Sequence, residues 1–283
     1  MKIWLFSAWF LLSATGVRAQ ESLNIMTFNI RLNTASDSLN AWPYRADKVV
    51  SQILFHQAHS VGVQEALHGQ MMDLQRQLTG YKFAGVGRDD GKTKGEYSAI
   101  FYDTTRLQLL QTETFWLSEN RQVPGSKSWD AAITRIVTWA KFKDRKTKKI
   151  FYHFNTHFDH IGKVARRESA RLVLQQVQAI AGKTSCIITG DFNAMPDDEP
   201  IQVITDKNNP LRLTDSKAIS KTPHYGPTGT FTGFRSKENS DEPIDYIFIK
   251  NGVKVLQHAT LSQTWGGRFS SDHFPVFARL IIP

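Results

Sequence analysis

Short apolar runs along the chain alternate with longer segments in which apolar residues recur every three or four positions. Short runs bounded by polar residues are typical of buried strands, and the longer spacing is typical of amphipathic helices. The predicted strands span residues 23–28, 61–63, 97–102, 107–110, 133–142, 150–156, 186–189 and 244–249. Three helices are predicted. The first begins at residues 42–43, the second follows residue 65, and the third spans residues 164–181. Because strand, helix and strand follow one another in this order, the pattern predicts an α/β fold with right-handed crossovers.

Two long connections separate the predicted strands. The chain is irregular and polar from residue 81 towards residue 101, and a loop of this length usually has a use, so we expect it to face a substrate. Glu96, which opens the strand there, is a candidate for a supporting role near the site. A second loop, residues 115–129, carries aromatic residues. The basic hairpin tip at residues 143–149 is typical of a solvated turn, with a nucleic-acid contact as the alternative.

The first residues have the pattern of an export signal. Lys2 precedes an apolar stretch, residues 3–12, and Val17-Arg18-Ala19 places small residues where a signal peptidase cleaves. We therefore predict a signal peptide over residues 1–19 and a single domain over residues 20–283, because no repeat or linker divides the remainder. The predicted location is the periplasm or the exterior of the cell, and a short uncleaved anchor is the alternative.

The basic composition suits an anionic partner, although many proteins are this basic without one. The 35 lysine and arginine residues exceed the 26 acidic residues, which gives a formal charge of +9. Removal of Lys2 and Arg18 leaves 33 basic residues and a charge of +7. This surplus suits a phosphate polymer or a lipid headgroup without choosing between them. The one cysteine, Cys186, can form no internal disulfide, so the core alone must stabilise the fold.

Polar residues follow the apolar runs at the points where the strands should end. Asn29 follows the first strand, Glu65 the second, and Asp191 with Asn193 the strand over residues 186–189. Because ligands bind at the carboxyl ends of strands in α/β sheets, these side chains are predicted to converge. Oxygen ligands from different strands suit a hard cation. The alternatives are an Asx turn at Asp191 and a helix-start acid at Glu65.

An acid and an imidazole form a second candidate pair. Asp245 interrupts the apolar run over residues 244–249, and a buried carboxylate needs a donor or a cationic partner. His273, in Ser271-Asp272-His273, supplies one, since an acid that orients an imidazole also stabilises its charged form. No plausible nucleophilic serine lies in a nucleophile elbow, so water is the predicted attacker.

The run Asn155-Thr156-His157-Phe158-Asp159-His160 has two interpretations. His157 follows a predicted strand and could stabilise negative charge on a phosphoryl group. Alternatively, His157, Asp159, His160 and His273 could bind a transition metal. Near the other predicted strand ends, Arg31 and Phe231 are candidates for substrate contacts, and Phe231 could stack on a base or cover a sugar.

Six motifs occur in the order found in the endonuclease/exonuclease/phosphatase superfamily, which the sequence resembles over residues 22–282. The motifs are Thr27-Phe28-Asn29-Ile30-Arg31, Gln64-Glu65, Asn155-Thr156-His157, Gly190-Asp191-Phe192-Asn193, Ile244-Asp245-Tyr246-Ile247 and Ser271-Asp272-His273-Phe274-Pro275-Val276. Histidine at position 157 is closer to the DNase-like and nocturnin-like members than to the exonuclease III-like members that have tyrosine. The resemblance implies a four-layer α/β sandwich, in which two mixed β-sheets pack face to face and are flanked by helices.

The resemblance also implies roles for the site residues. Glu65 would be the main ligand of Mg²⁺ or Mn²⁺, with Asn29 and Asp272 beside it. Asp191 would orient or deprotonate the water or protonate the leaving oxygen, and Asn193 would hold the phosphate.

The same resemblance implies electrostatic roles for three further residues. His157 would stabilise the transition state, and Asp245 would orient His273. Whether His273 is a base or a charged stabiliser stays open. Asp159 and His160 are weaker candidates for substrate contacts.

The expected function is a secreted, divalent-metal-dependent phosphoesterase, either a phosphodiesterase or a phosphatase, that uses direct attack of water. It is expected to be a monomer without stable membrane insertion. Its substrate could be a nucleic acid, a sugar or inositol phosphate, or a lipid headgroup, so a nuclease acting on DNA or RNA is one alternative. A non-catalytic binding module of the same fold is an alternative of another class, but every expected polar position is filled.

Overall fold

The structure is a computed structural model that describes residues 21–235 and 242–283. The predicted signal peptide, residues 1–19, lies outside the described residues. The strands are β1 Leu23–Asn29, β2 Ser60–Ala66, β3 Tyr81–Ala84, β4 Tyr97–Asp103, β5 Leu107–Trp116, β6 Ile136–Asp144, β7 Ile150–His157, β8 Cys186–Asp191, β9 Thr214–Asp215, β10 Asp245–Lys250, β11 Lys254–Thr260, β12 Thr264–Trp265, β13 Arg268–Phe269 and β14 Val276–Ile281.

Four α-helices are present in the described part of the chain. They are α1 Ala46–Phe55, α2 His68–Gln77, α3 Lys163–Ala181 and α4 Glu199–Thr205. Two short 3₁₀ helices, Ala35–Asn40 and Trp42–Tyr44, precede α1. Among the described residues, no helix combines the length and the apolar composition needed to cross a bilayer.

Twelve of the strands form two mixed six-stranded sheets. The first sheet has the order β11-β14-β1-β2-β4-β3, and the second has the order β5-β6-β7-β8-β10-β9. Each sheet contains a parallel pair joined through a helix, β1 with β2 through α1 and β7 with β8 through α3. A helical crossover brings the carboxyl ends of both strands to the same edge. Asn29 and Glu65 therefore lie on parallel neighbours, as predicted.

Three apolar clusters hold the layers together. One packs α1 and α2 against the first sheet, and another packs α3 and α4 against the second. A third cluster lies between the two sheets. Examples from the three are Val49 and Leu74, Leu174 and Ile204, and Phe142 and Ile187. The result is the four-layer α/β sandwich that the resemblance implied.

A chain of buried polar groups also crosses between the sheets. Ser60 Oγ lies 2.7 Å from His153 Nδ1, and His153 Nε2 lies 2.8 Å from Thr189 Oγ1. Asn155 Oδ1 accepts hydrogen bonds from Thr189 (2.9 Å) and from Gln64 Nε2 (2.7 Å). Asn155 Nδ2 donates to two backbone carbonyls of the first sheet. Because an unpaired buried polar group costs about 1–3 kcal/mol, this network opposes sliding of one sheet over the other.

Some element boundaries differ from those expected. Residues 81–84, expected to be loop, form β3, and β5 extends to Trp116 instead of ending near residue 110. Both strands lie at the edge of a sheet, where exposed polar side chains hide the apolar pattern. The hairpin strand β6 begins at Ile136 rather than at residue 133, and α1 begins at Ala46 after a 3₁₀ turn that contains Pro43.

Gly62→Ala is expected to lower the free energy of unfolding by roughly 3 kcal/mol, because overpacking and broken buried hydrogen bonds add. A Cβ atom at Gly62 would lie 2.2 Å from Thr189 Oγ1 and 2.3 Å from Asn155 Oδ1. The measurement is urea denaturation. Gly69→Ala in α2 is the matched control, since nothing lies within 4 Å of the position that its Cβ would take, and it should stabilise by roughly 0.5–1 kcal/mol. Equal effects would contradict the role given to Gly62.

His153 should make stability depend on pH in the acid range. Burial lowers the pKa of His153 from 6.5 to about 3, so below pH 6.5 the unfolded chain binds a proton that the folded chain excludes. The free energy of unfolding should fall as the pH is lowered from 6.5. His153→Gln should lose roughly 2–3 kcal/mol less than the wild type between pH 7 and pH 4.5 in urea denaturation. Identical pH profiles of the two proteins would rule this out.

Candidate active site

Polar side chains from both sheets meet at one edge of the sandwich. The parallel pairs β1 with β2 and β7 with β8 end at this edge, and the antiparallel strands β10 and β14 begin there. Strand direction therefore decides which end of each strand carries a polar side chain. The predicted residues placed here are Asn29, Glu65, His157, Asp191, Asn193, Asp245, Asp272 and His273.

A cleft of about 450 Å³ opens between these side chains. The catalytic candidates that line it are Glu65, His157, Asp191, Asn193, Asp272 and His273. Its other walls are formed by Arg31, Leu32, Glu96, Ile133, Arg135, His160, Phe231 and Ile244. A cleft of this volume suits a small-molecule ligand.

Asn29 joins the acids of the two sheets. Its Nδ2 donates to Glu65 Oε1 and to Asp191 Oδ2, both at 3.0 Å, while its Oδ1 accepts from the backbone N–H of Arg31. Glu65 has a φ of 63°, in the left-handed region, at a β-bulge between β2 and β4. Strained backbone of this kind costs free energy and is common where a side chain must be aimed into a site.

Arg31 lies between two of the acids. Its Nη1 is 3.8 Å from Glu65 Oε2, and its Nε is 3.7 Å from Asp272 Oδ2. Asp37 holds the guanidinium with two hydrogen bonds of 3.0 and 3.1 Å, and this contact raises the pKa of Arg31 above its ordinary value. Burial first, and then the charge of Glu65, raise the pKa of Asp272 against the opposing effect of His273.

Asp191, Asn193 and His157 form the opposite side of the cleft. Asn193 Nδ2 donates to the carbonyl of Phe158 and lies 3.0 Å from His157 Nε2, which is itself 3.4 Å from Asp191 Oδ2. Burial, then the charge of Arg135, hold the pKa of His157 well below its ordinary value, so the ring is neutral. A neutral imidazole has one N–H, and its tautomer decides whether Nε2 donates or accepts.

Asp245 and His273 form the predicted buried pair. Asp245 Oδ2 lies 2.9 Å from His273 Nδ1, and His273 Nε2 lies 3.7 Å from Asp191 Oδ2. Burial alone would lower the pKa of His273, but Asp245 and then Asp191 outweigh it and raise the pKa well above 6.5. Burial and the charge of Asp245 also raise the pKa of Asp191. The geometry therefore favours a positively charged His273.

The described residues include a group that could hold a metal ion. Glu65, Asp191 and His273 each offer one ligand atom, and these atoms lie within 4.8 Å of one another. The predicted ligand set was Asn29, Glu65 and Asp272, so the two sets share Glu65. The carboxylate oxygens of Glu65 and Asp191 fit a hard divalent cation, whereas His273 can bind a metal ion only when its ring is neutral. In the structure, Asn29 directs its side-chain nitrogen to the two acids, because its side-chain oxygen accepts a hydrogen bond from the backbone N–H of Arg31.

Among the described residues, the run over residues 155–160 does not form the transition-metal group that was the alternative interpretation. Asp159 is 1% exposed, and its carboxylate accepts backbone N–H bonds from residues 132, 133, 161 and 162. Burial alone would raise the pKa of Asp159, but these four bonds hold it below its ordinary value. The expectation that Asp159 contacts substrate is thus corrected, because both oxygens are committed to the backbone. His160 lines the cleft, with its Nδ1 3.2 Å from Arg135 Nη2.

Phe231 lies in the cleft wall with 41% of its surface exposed, and its ring centroid is 5.0 Å from that of His273. The ring is therefore available to a ligand.

Two buried arginines near the cleft were missed from the sequence. Arg135 precedes β6 and lines the cleft. The sequence feature that could have revealed it is its position as a charged residue at the start of an apolar run. Arg45 is 2% exposed and donates to the carbonyls of Ile30, Arg31 and Ser270. Arg45 thereby supports the turn that carries Arg31, and burial lowers its pKa to about 10.

Comparison with known proteins identifies relatives across the described fold. The family model for the Endonuclease/Exonuclease/phosphatase family matches residues 26–273. The structure of an endonuclease/exonuclease/phosphatase from Bacteroides vulgatus is 40% identical, with a TM-score of 0.88, and the match covers 93% of this chain and 100% of that one. A mannosyl-6-phosphatase from Bacteroides thetaiotaomicron is 37% identical, with a TM-score of 0.88 and coverage of 92% and 100%. The protein angel of Drosophila melanogaster is 23% identical in an alignment of 228 residues that covers 76% of this chain and 60% of that protein, so the chain spans less than two thirds of the length of this relative.

Asp159→Asn should lower the free energy of unfolding by about 3 kcal/mol, because a neutral amide has one acceptor oxygen for four buried N–H groups. Urea denaturation measures the loss. The matched control is Asp197→Asn, an exposed position at which a change below about 0.5 kcal/mol is expected. A loss no larger than that of the control would show that the four hydrogen bonds contribute little.

Proposed function

The chain belongs to the endonuclease/exonuclease/phosphatase family, and we propose that it is a divalent-metal-dependent phosphoesterase in which water attacks the phosphorus directly. Members of this family hydrolyse phosphoester bonds. The observation that carries the proposal is the convergence of Glu65, Asp191 and His273 in one cleft. Asn193 and His157 lie at the same edge, where a phosphoryl group could contact them. This set of acids, amides and imidazoles argues against a binding module without turnover.

The proposed cofactor is Mg²⁺ or Mn²⁺. Glu65 would be its main ligand, with Asp272 and Asn29 beside it, and an amide turned over at Asn29 would present oxygen in place of nitrogen. When bound, the ion would offset the charge that develops on the phosphoryl oxygens. Arg31 lies within 4 Å of Glu65 and Asp272, so we infer that it balances these acids and contacts the phosphate.

Asp191 is the proposed acid–base residue. Its raised pKa brings the carboxyl closer to the range in which it can both accept and donate a proton. Asn29 holds Asp191 Oδ2, and the backbone N–H of Asn193 donates to Oδ1, so the carboxylate is fixed for a water or a leaving oxygen. His273, charged and oriented by Asp245, would stabilise the anionic transition state rather than act as a base.

The proposed substrate is a small phosphate monoester of a sugar. The cleft volume of about 450 Å³ suits a small molecule. The 37% identity to a mannosyl-6-phosphatase supports the same class. A nuclease acting on DNA or RNA is the alternative within the family. From the pattern of residues 1–19 we further propose that the enzyme is exported to the periplasm or the cell exterior.

Asp191→Asn should lower kcat by about 10²–10⁴-fold, the usual contribution of a general acid–base group. Hydrolysis should be measured with Mg²⁺ and with EDTA, on mannose 6-phosphate, p-nitrophenyl phosphate, bis-p-nitrophenyl phosphate, plasmid DNA and RNA. EDTA should abolish turnover, and the exposed variant Asp197→Asn should keep it. Turnover in EDTA, or full activity of Asp191→Asn, would overturn the mechanism. Preferred cleavage of DNA or RNA would replace the substrate class and leave the mechanism standing.

Glu65→Gln should weaken the binding of Mg²⁺ roughly 10- to 100-fold, because ligand charge sets the affinity for a hard cation. Calorimetric titration of Mg²⁺ into the protein, without substrate, measures binding independently of turnover. Glu119→Gln, at an exposed position outside the cleft, is the matched control and should bind as the wild type does. Unchanged affinity in Glu65→Gln would remove Glu65 from the ligand set.

A further inference from the structure

We propose that Arg135, His160 and Glu96 form a recognition pocket for a neutral, polyhydroxylated leaving group of the substrate. The three side chains line the cleft from three separate segments: before β6, after β7 and before β4. The inference rests on the proposed function, because it concerns the leaving group of the substrate, which the residues proposed to bind the phosphate do not contact.

Arg135 has donor groups that the described protein does not use. The residue is 5% exposed and lines the cleft, yet its Nε and Nη1 have no hydrogen-bond partner among the described residues. Its nearest acid is Asp159, at 3.9 Å from Nε, and that carboxylate is committed to four backbone N–H groups. Both nitrogens are buried from solvent, and unpaired buried donors cost free energy, so a ligand oxygen that reached them through the cleft wall would be stabilised by supplying an acceptor.

The contact between Arg135 and His160 decides the tautomer of the imidazole. Arg135 Nη2 lies 3.2 Å from His160 Nδ1, and a guanidinium can only donate, so Nδ1 must accept. The proton of neutral His160 is then on Nε2. Because His160 is exposed and lines the cleft, its Nε2–H is a second donor available to a ligand oxygen.

Glu96 supplies the acceptor. Arg88 holds it with two hydrogen bonds of 2.7 and 2.9 Å, one to each carboxylate oxygen. Trp116 Nε1 in turn donates to the carbonyl of Arg88 at 2.6 Å, which fixes this arginine behind the pocket. Each oxygen of Glu96 keeps a second acceptor position, so the carboxylate can accept from a hydroxyl while it stays paired with Arg88.

The charges around the pocket cancel. Arg88 and Arg135 are paired with Glu96 and Asp159, and the contact between Arg135 Nη2 and His160 requires Nδ1 of His160 to accept. A second anionic group would meet the carboxylate of Glu96, whereas neighbouring hydroxyls can accept from the donors and donate to Glu96. Ile133 and Phe231 add apolar cleft walls on which the C–H face of a ring can pack. The pocket therefore fits a sugar ring better than a second phosphate.

The test compares His160→Ala and Glu96→Gln with the wild type on two monoesters. Mannose 6-phosphate carries the hydroxyls, and p-nitrophenyl phosphate lacks them. The expected loss of kcat/KM on mannose 6-phosphate is about 10- to 100-fold for each variant, mostly through KM, as for a site that loses one hydrogen bond to its substrate. Activity on p-nitrophenyl phosphate should change less than about 3-fold. Ile161→Ala, at an exposed neighbouring residue outside the cleft wall, is the control.

A matched pair of ligands tests the preference for a neutral group. Wild-type protein should bind and hydrolyse mannose 6-phosphate better than mannose 1,6-bisphosphate, which differs by one added phosphate. A preference for the bisphosphate would overturn the neutral class. An equal loss on both monoesters in the variants would assign the residues to chemistry or folding, and no loss would remove them from recognition; either result overturns the pocket.

Calorimetry separates failure of the pocket from failure of the proposed function. Mannose 6-phosphate and inorganic phosphate are titrated into the wild type and into His160→Ala, with turnover blocked by EDTA. Weaker binding of mannose 6-phosphate alone in the variant supports the pocket, even if the wild type hydrolyses no monoester and the proposed function fails. Equal binding in both proteins overturns the pocket while leaving hydrolysis by the wild type as the measure of function.

Discussion

The hydrogen-bonded network between the two sheets is the constraint on which the site depends. His153 and Asn155 of the second sheet bond to Ser60 and Gln64 of the first, and Thr189 of the second sheet links His153 to Asn155. The site is divided between the same sheets, and its acids are linked across them by hydrogen bonds of 3.0 Å from Asn29. A shift of one sheet by a fraction of a residue would break both sets of bonds together. Apolar packing alone is non-directional and tolerates such a shift, whereas a satisfied polar network in a medium of low dielectric does not.

Burial also determines the electrostatics of the cleft. Asp191, Asp245 and His273 are each less than 5% exposed, so their charges are weakly screened and each changes the ionisation of the others. The charges alternate from Asp245 through His273 to Asp191, and this order keeps His273 protonated although burial opposes it. Negative and positive charges alternate a second time, because Arg31 lies between Asp37 on one side and Glu65 and Asp272 on the other. The acids thus remain close to one another, as the proposed cation site requires.

One wall of the cleft, which contains Ile133 and Arg135, is formed by a loop rather than by the strand ends that carry the candidate catalytic residues. Asp159 anchors residues 132 and 133 through their N–H groups, and Asp130 accepts from the first turn of α3. These bonds hold the segment that carries Arg135 against the cleft. The strands fix the residues proposed to bind the phosphate, while anchored loops present the groups proposed to recognise the leaving group. This division allows loops to change specificity without moving the residues proposed for the chemistry.

The motif residues and the direction of their strands were predictable from the sequence, because apolar runs and their polar ends are local features. Asn29, Glu65, His157 and Asp191 could be placed at strand ends in this way, and the parallel pairs followed from the order of strand, helix and strand. The four-layer fold was implied by the resemblance to the family. The edge strands β3 and β5 were not fully predictable, since exposed polar residues mask their period. Tertiary structure alone decided that Asp159 serves the backbone, that Asn29 turns its nitrogen to the acids, and that Arg135 reaches the cleft. The physical reason is that the role of a polar side chain depends on the donors and acceptors brought near it by distant parts of the chain, and sequence spacing does not encode those distances.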